Sequence, residues 1–290
     1  MNEQLPPTNL PEIEFDQTTR RLGLLLPATY PNELPPLRFA PGFRVWDRQE
    51  ILNAIKDKLV KRRKQFAGNQ WVMNQGSLGS CNPCAESHTA RRTMALAGRN
   101  DIPLLSWEFS YAQLVDGNDV GSQLADSRNQ GMTQGMPPLD LNRHPLYRDF
   151  RKRDYSPEEY EAAKNFRFEK DYSISTPEEL ATLLLSGQGA AVVAVHVGGT
   201  FNRLDRNGIC GVDRGPGNHA VCVQDVEVID GELVFDMPNS WGLNFGDAGH
   251  GYLKWDHFVQ TRPYHEFYGI LASSNPFAGG QPACSTRCLV

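Results

Sequence analysis

The sequence predicts an α+β protein in which a helical lobe comes first and a β lobe follows. Helix signals cluster between Asp47 and the start at Thr176-Pro177, whereas β-branched and alternating apolar runs fill the stretch from Ala190 to Ala272. A length of 290 residues suits one large domain or two modest ones sharing a cleft.

The elements follow in chain order. Residues 1–45 hold eight prolines and little periodicity, so they are expected to run extended over a surface, as a leader or a docking arm. From Asp47, a capping residue, Ile51, Leu52, Ile55 and Leu59 recur at helical spacing until the basic run Lys61-Arg62-Arg63-Lys64 closes the segment. Gly68 to Gly79 reads as a loop. Cys81 to Ala97 reads as a helix, with Pro83 tolerated in its first turn and Gly98 as a stop. Ser106 to Val115 is a second helix, and residues 116–145, rich in Gly, Asp, Asn and Pro, read as a long surface loop set. Ser156-Pro157-Glu158-Glu159 and Thr176-Pro177-Glu178-Glu179 are two helix starts, each a cap followed by proline and acids. Ala190 to Val197 and His219 to Val228 are strands. Asp230-Gly231 is a hairpin turn into Glu232 to Met237, and Gly251 to Trp255 and Tyr264 to Ala272 are further strands. The division expected is an arm and helix over 1–69, a body over 70–273 split near residue 170, and a tail over 274–290.

Composition narrows the function. A net charge of −5 argues against a general nucleic-acid binder, and the basic runs at 61–64 and 151–153 suit solvated faces. The longest wholly apolar stretch, Ala190 to Val195, is too short to span a bilayer, so no membrane partner is expected. The start Met-Asn-Glu-Gln-Leu-Pro-Pro lacks the basic region and apolar core of a signal peptide, which predicts a cytoplasmic location at synthesis. Six cysteines in a chain this long do not form a disulfide framework. Cys81-Asn-Pro-Cys84 finds no second pair at zinc-site spacing, so no metal is expected.

Thiol hydrolysis needs a thiolate, a proton carrier and donors for an oxyanion. Cys81 stands where a Gly/Ser loop meets a helix, a position whose free amides and dipole are expected to lower its pKa. Gln75, six residues earlier in Asn74-Gln75-Gly76-Ser77-Leu78-Gly79-Ser80-Cys81, can turn a side-chain amide toward the same place, with Gly76 and Gly79 permitting the turn. Downstream, Asn218-His219-Ala220-Val221 opens a strand, and Asn239-Ser240-Trp241-Gly242 returns beyond a hairpin. The Asn239 amide can hold the His219 imidazole, and the Trp241 indole can shield that bond. His88, His250, His257 and His265 lack metal-site spacing and read as structural.

These segments resemble the papain family. The matching residues are Gln75-Gly76, Gly79-Ser80-Cys81, Asn218-His219-Ala220, Asn239-Ser240-Trp241-Gly242 and Gly246-Asp247-Ala248-Gly249-His250-Gly251-Tyr252, over about residues 70–273. The histidine follows the cysteine within the roughly 130–150 residues typical of that family. The resemblance implies a papain-like two-lobed fold and cofactor-free hydrolysis of a peptide or protein substrate through an acyl-enzyme thioester. Cys81 would be nucleophile, His219 base and Asn239 orienter, with Gln75 on the oxyanion. Gly121, Ser122, Ala220 and Trp241 are the expected substrate-binding residues. Leu78 stands where secreted relatives carry a disulfide cysteine, and Asn82 replaces the usual tryptophan after the nucleophile. Gly117-Asn118-Asp119-Val120-Gly121-Ser122, with Cys81-Asn82, is similar to papain-like proteins of tailed phages. That similarity implies virion association and phage structural partners reached through residues 1–69 and the tail. Residues 1–69 do not resemble the family's usual inhibitory segment, although their acting as one is a further expectation.

Overall fold

The computed structural model describes residues 22–27, 34–56, 66, 71–99, 102–141, 151–168 and 170–271. The expected tail, the basic run at 61–64 and most of residues 1–33 lie outside the described residues.

Helix α1 (Arg48–Lys56) starts where expected: Asp47 Oδ1 accepts from the Glu50 N–H, and Glu50 Oε2 accepts from the Asp47 N–H. Helix α2 (Cys81–Leu96) is the central element, buried from Cys81 through Met94, as befits a helix packed on all sides. It lies against both lobes, touching helices on one side and strands on the other. Helix α3 (Trp107–Val115) begins at Ser106, whose hydroxyl accepts from Phe109 N–H, and ends at Asp116 in the left-handed region with φ 48°.

The loop set expected over 116–145 is not all loop. Helix α4 (Leu124–Thr133) lies within it, and its buried face is Leu124, Ser127, Arg128, Gln130 and Gly131. Those residues leave no apolar stripe to read. Tertiary partners replace one: Ser127 Oγ donates to Glu86 at 2.7 Å, and Gln130 Nε2 donates to the Gly135 carbonyl at 2.9 Å. Helices α5 (Pro157–Ala163) and α6 (Pro177–Leu185) begin at the expected caps Ser156 and Thr176.

The β lobe has two antiparallel sheets. One has the order β1 (Asp171–Ser173), β7 (Tyr268–Leu271), β2 (Gly189–Val195), β3 (His219–Val223). The other has the order β4 (Asp225–Ile229), β5 (Glu232–Pro238), β6 (His250–Lys254). The single strand expected over His219 to Val228 is therefore two strands in different sheets. Gln224 makes the corner: its N–H donates to the Asp236 carbonyl, its side-chain amide donates to Asp236 Oδ2 at 2.7 Å, and its Oε1 accepts from Arg92 of α2. Asp230 and Gly231, with φ of 51° and 80°, form the expected hairpin turn. A helix not anticipated from sequence, α7 (Trp255–Thr261), follows β6, and the last strand is shorter than its apolar run.

Residues 34–56 do not lie loosely over a surface. Leu37, Ala40, Phe43 and Ile51 join the main core, Ser173 N–H donates to the Pro35 carbonyl at 3.0 Å, and Trp46 N–H donates to Thr182 Oγ1 at 2.9 Å. Prolines prevent periodicity here, but single apolar residues still find core positions.

Candidate active site

Cys81 is the first residue of α2, and its thiol is fully buried. The loop before it is tied to the 119–122 segment. Gly79 N–H and Tyr111 Oη–H both donate to Asp119 Oδ1, at 2.8 and 2.6 Å, and Gly121 N–H donates to Tyr111 Oη at 3.0 Å. Asn82 Nδ2 donates to the Ser122 carbonyl at 2.7 Å and to its hydroxyl at 3.0 Å. Asn82 thus acts as a brace for the groove wall rather than as part of a hydrophobic rim. Gly121 has φ +85°, a conformation that favours glycine, and is buried with its backbone packed against Gly79 of the Cys81 loop and against Gly23.

The loop of Gln75 is stitched to that of Asn239. Gln75 N–H donates to the Ser240 carbonyl at 2.8 Å, Ser240 Oγ donates to Gln75 Oε1, and Gly242 N–H donates to the Met73 carbonyl at 2.9 Å. The Gln75 side-chain amide donates to the Leu78 carbonyl at 2.8 Å, which folds it back over the loop ahead of Cys81.

His219 opens β3 opposite Val195 and is buried. Its Nε2 lies 2.9 Å from Asn239 Oδ1, which also accepts from the Ser240 N–H at 2.8 Å. A side-chain carbonyl in that place selects the tautomer with hydrogen on Nε2 and the basic lone pair on Nδ1. Trp241 stacks on the imidazole with centroids 4.7 Å apart and planes 23° from parallel. Phe245 and Phe201 meet the indole edge-on at 5.4 and 6.0 Å. The start of β3 lies close to the sulfur, since the backbone of Ala220, next to His219, acts to lower the Cys81 pKa. Gly121 and Ser122 flank the same place from the helical side.

Electrostatics at the thiol depart from the sequence expectation. Burial pushes the Cys81 pKa up, opposed by backbone hydrogen bonds from Ala220, Gly23, Asn82 and Cys81 itself. Desolvation outweighs the helix terminus, so the neutral thiol is favoured in this arrangement. Burial also raises Cys84 well above a free thiol, with the neighbouring Cys81 adding to the shift. His88 is buried and accepts from Met73 N–H at 3.2 Å through Nε2; desolvation, then Arg92 and Arg91, hold it well below the usual histidine range. Among the described residues no three of His, Cys, Asp and Glu gather as metal ligands.

Sequence reading missed three participants: Tyr111 and Asp119, which clasp the two loops, and Gly23 with its neighbours. Leu22-Gly23-Leu24-Leu25-Leu26 is the longest apolar run of the proline-rich stretch and was the signal available.

No protein-family model and no curated protein sequence matches the chain. Solved structures do. Xylellain, a cysteine protease from Xylella fastidiosa, superposes with TM-score 0.59 at 18% identity, over 88% of this chain and 97% of that one. A procathepsin B from Trypanosoma congolense gives TM-score 0.59 at 13% identity over 90% of each chain. The digestive procathepsin L 3 of Tenebrio molitor larval midgut gives 0.54 at 16% identity, over 73% and 68%. The chain has the papain-like fold, mixed helix and antiparallel sheet.

Proposed function

We propose that the protein is a cysteine-type peptidase, with Cys81 as nucleophile, His219 as proton carrier, Asn239 as orienter and Gln75 as oxyanion donor. The observation that carries this reading is the bond of 2.9 Å between Asn239 and His219 Nε2, at the start of a strand whose next residue, Ala220, has its backbone near enough to lower the Cys81 pKa. The papain-like fold supports it at the level of architecture.

In this reading the Cys81 proton passes to His219 Nδ1, and the sulfur attacks the carbonyl carbon of a peptide bond. The Cys81 amide, at the free end of α2, and the Gln75 amide stabilise the oxyanion. The C–N bond breaks as His219 returns the proton to the leaving amine, leaving a thioester. His219 then removes a proton from water, whose oxygen displaces the sulfur and regenerates the thiol. Asn239 keeps the ring in the required tautomer, and Trp241 excludes water from that bond. Gly121, Ser122 and Ala220 offer backbone to an extended substrate as an added strand.

Turnover of an unfolded protein substrate tests the proposal. Cys81→Ala should lower it by roughly 10⁴-fold or more, and His219→Ala comparably, since residues acting as one unit fail together. Cys84→Ala should stay within a few-fold of wild type. Undiminished hydrolysis with alanine at 81 would refute the assignment. The alternative, a phage structural component docked through residues 1–69, draws no support from residues 34–56, which are spent on this chain's own core.

A further inference from the structure

The helix that carries Cys81 also grips the segment that carries Gln75, and it does so through His88. His88 follows Cys81 by seven residues on α2, so helix geometry puts it two turns, about 10 Å, down the axis and near the same face. Its side chain is buried, and its Nε2 accepts from the Met73 N–H at 3.2 Å.

The segment from Trp71 to Gln75 faces two ways. Toward α2, the Met73 N–H meets His88, and the Trp71 ring lies under the Arg91 guanidinium, 4.5 Å from the ring centroid. Toward the β lobe, the Met73 carbonyl accepts from the Gly242 N–H at 2.9 Å, Asn74 pairs antiparallel with Trp241, and the Gln75 N–H donates to the Ser240 carbonyl at 2.8 Å. Gly249 packs on the same side. A Cβ built there would lie 2.4 Å from Val72 Cγ1, and its carbonyl accepts from the Asn239 N–H at 2.9 Å. Residues 71–75 are therefore a layer between α2 and the loop of Asn239 and Trp241.

The register of that layer sets where Gln75 and Asn239 stand relative to Cys81. The bonds to Ser240 and Gly242 fix the two loops to each other, not to the helix. The bond from Met73 to His88 ties their main chain to α2.

An acceptor role fixes the protonation of His88. Nε2 offers a lone pair to the Met73 N–H only in the neutral ring, with its hydrogen on Nδ1. Burial, then Arg92 and Arg91, hold the imidazole well below the usual histidine range, so the accepting form persists where a free histidine would be charged.

We propose that His88 is a positioning residue: by accepting the Met73 N–H it registers the 73–75 segment, with Gln75 and the attached Asn239 loop, against the helix that carries Cys81. The inference rests on the peptidase reading above and adds a residue which that reading does not use. His88 touches no reacting atom and acts through Met73. Without the acceptor a buried N–H is left unpaired, which the segment relieves by shifting. A displacement on the order of 1 Å at such a site can slow the reaction about 100-fold.

Steady-state hydrolysis of an unfolded protein substrate by full-length chains tests the role, with active enzyme counted by epoxide labelling of Cys81 to completion. His88→Leu removes the acceptor. It should lower kcat per labelled enzyme by about 10- to 100-fold while KM stays within about threefold, the split expected when only the transition state is affected. His88→Gln returns an amide oxygen near the Nε2 position and should recover kcat to within about threefold of wild type. His88→Asn keeps the amide but ends short of that position, so it should match His88→Leu, and it carries the comparison if the leucine variant fails to fold. An unchanged kcat in the variants lacking the acceptor, a loss confined to KM, or an equal loss in His88→Gln overturns the positioning role and leaves the peptidase reading standing. Wild-type chain that labels at Cys81 yet turns nothing over refutes the peptidase reading, and the positioning role falls with it.

Discussion

Residues 22–27 and residues 34–56 come from one proline-rich stretch, yet they are held in opposite ways. The first is held by main-chain hydrogen bonds across a cleft, with one buried leucine, one partly buried leucine packed on the core and two exposed ones. The second plants Leu37, Ala40, Phe43 and Ile51 in the main core and adds the Arg38–Glu179 ion pair at 3.1 Å and the Trp46–Thr182 bond. Backbone bonds exchanged for water on opening cost little net free energy, whereas buried apolar side chains cost their full transfer term. Sequence-adjacent segments can therefore belong to different levels of the stability hierarchy, one opening locally and the other only with the whole fold.

The largest expected effect separates the two directly. Leu37→Ala should lower unfolding free energy by about 2–5 kcal/mol, read from a urea midpoint, because Leu37 is fully buried. Leu25→Ala, at 41% exposure, should change it by no more than about 0.5 kcal/mol. Equal losses would erase the distinction drawn here.

A second effect lies at the end of residues 22–27, where Pro27 and His265 line one small cavity. Burial lowers the His265 pKa to about 4, so the folded state holds it neutral while the unfolded chain titrates near 6.5. Its stability contribution is complete above pH 6.5 and is lost as pH falls through about 4, since the unfolded state binds the extra proton across that window. The loss is on the order of 3 kcal/mol, the equivalent of moving a pKa from 6.5 to about 4. His265→Asn should flatten the midpoint-against-pH curve between those values; an unchanged slope would assign it to other groups.

The smallest effect concerns the groove wall. Tyr111→Phe removes the hydroxyl that bridges Asp119 and Gly121, which should cost roughly 1–2 kcal/mol. It should speed amide exchange at Leu25, which pairs with Ser122, more than at Phe43. Equal acceleration at both amides would mean that the wall does not hold the strand.

Much of this architecture was legible in the residues because it is locally encoded. Ser106, Ser156 and Thr176 cap their helices through side chains, and Asp230-Gly231 supplies the positive φ its turn needs. The segments around Gln75, Cys81, His219 and Asn239 stand out in the sequence because each sets a polar or reactive side chain in a distinctive backbone context, and the expected hold of Asn239 on the His219 ring is present at 2.9 Å. What escaped depends on distant partners. Helix α4 buries Ser127, Arg128 and Gln130, a face defined only by Glu86 and the elements around it. The break at Gln224 follows from Asp236 and Arg92. The raised Cys81 pKa reverses a local expectation because burial, which no local pattern encodes, outweighs a helix end.

Mapping where a thiol-directed epoxide reacts reads the nucleophile itself. Cys81 should be modified well before Cys84, Cys210 or Cys222, all of them buried free thiols, with the Cys81 rate collapsing in His219→Ala. Labelling spread evenly over those cysteines, or a Cys81 rate indifferent to the loss of His219, would contradict the assignment of Cys81.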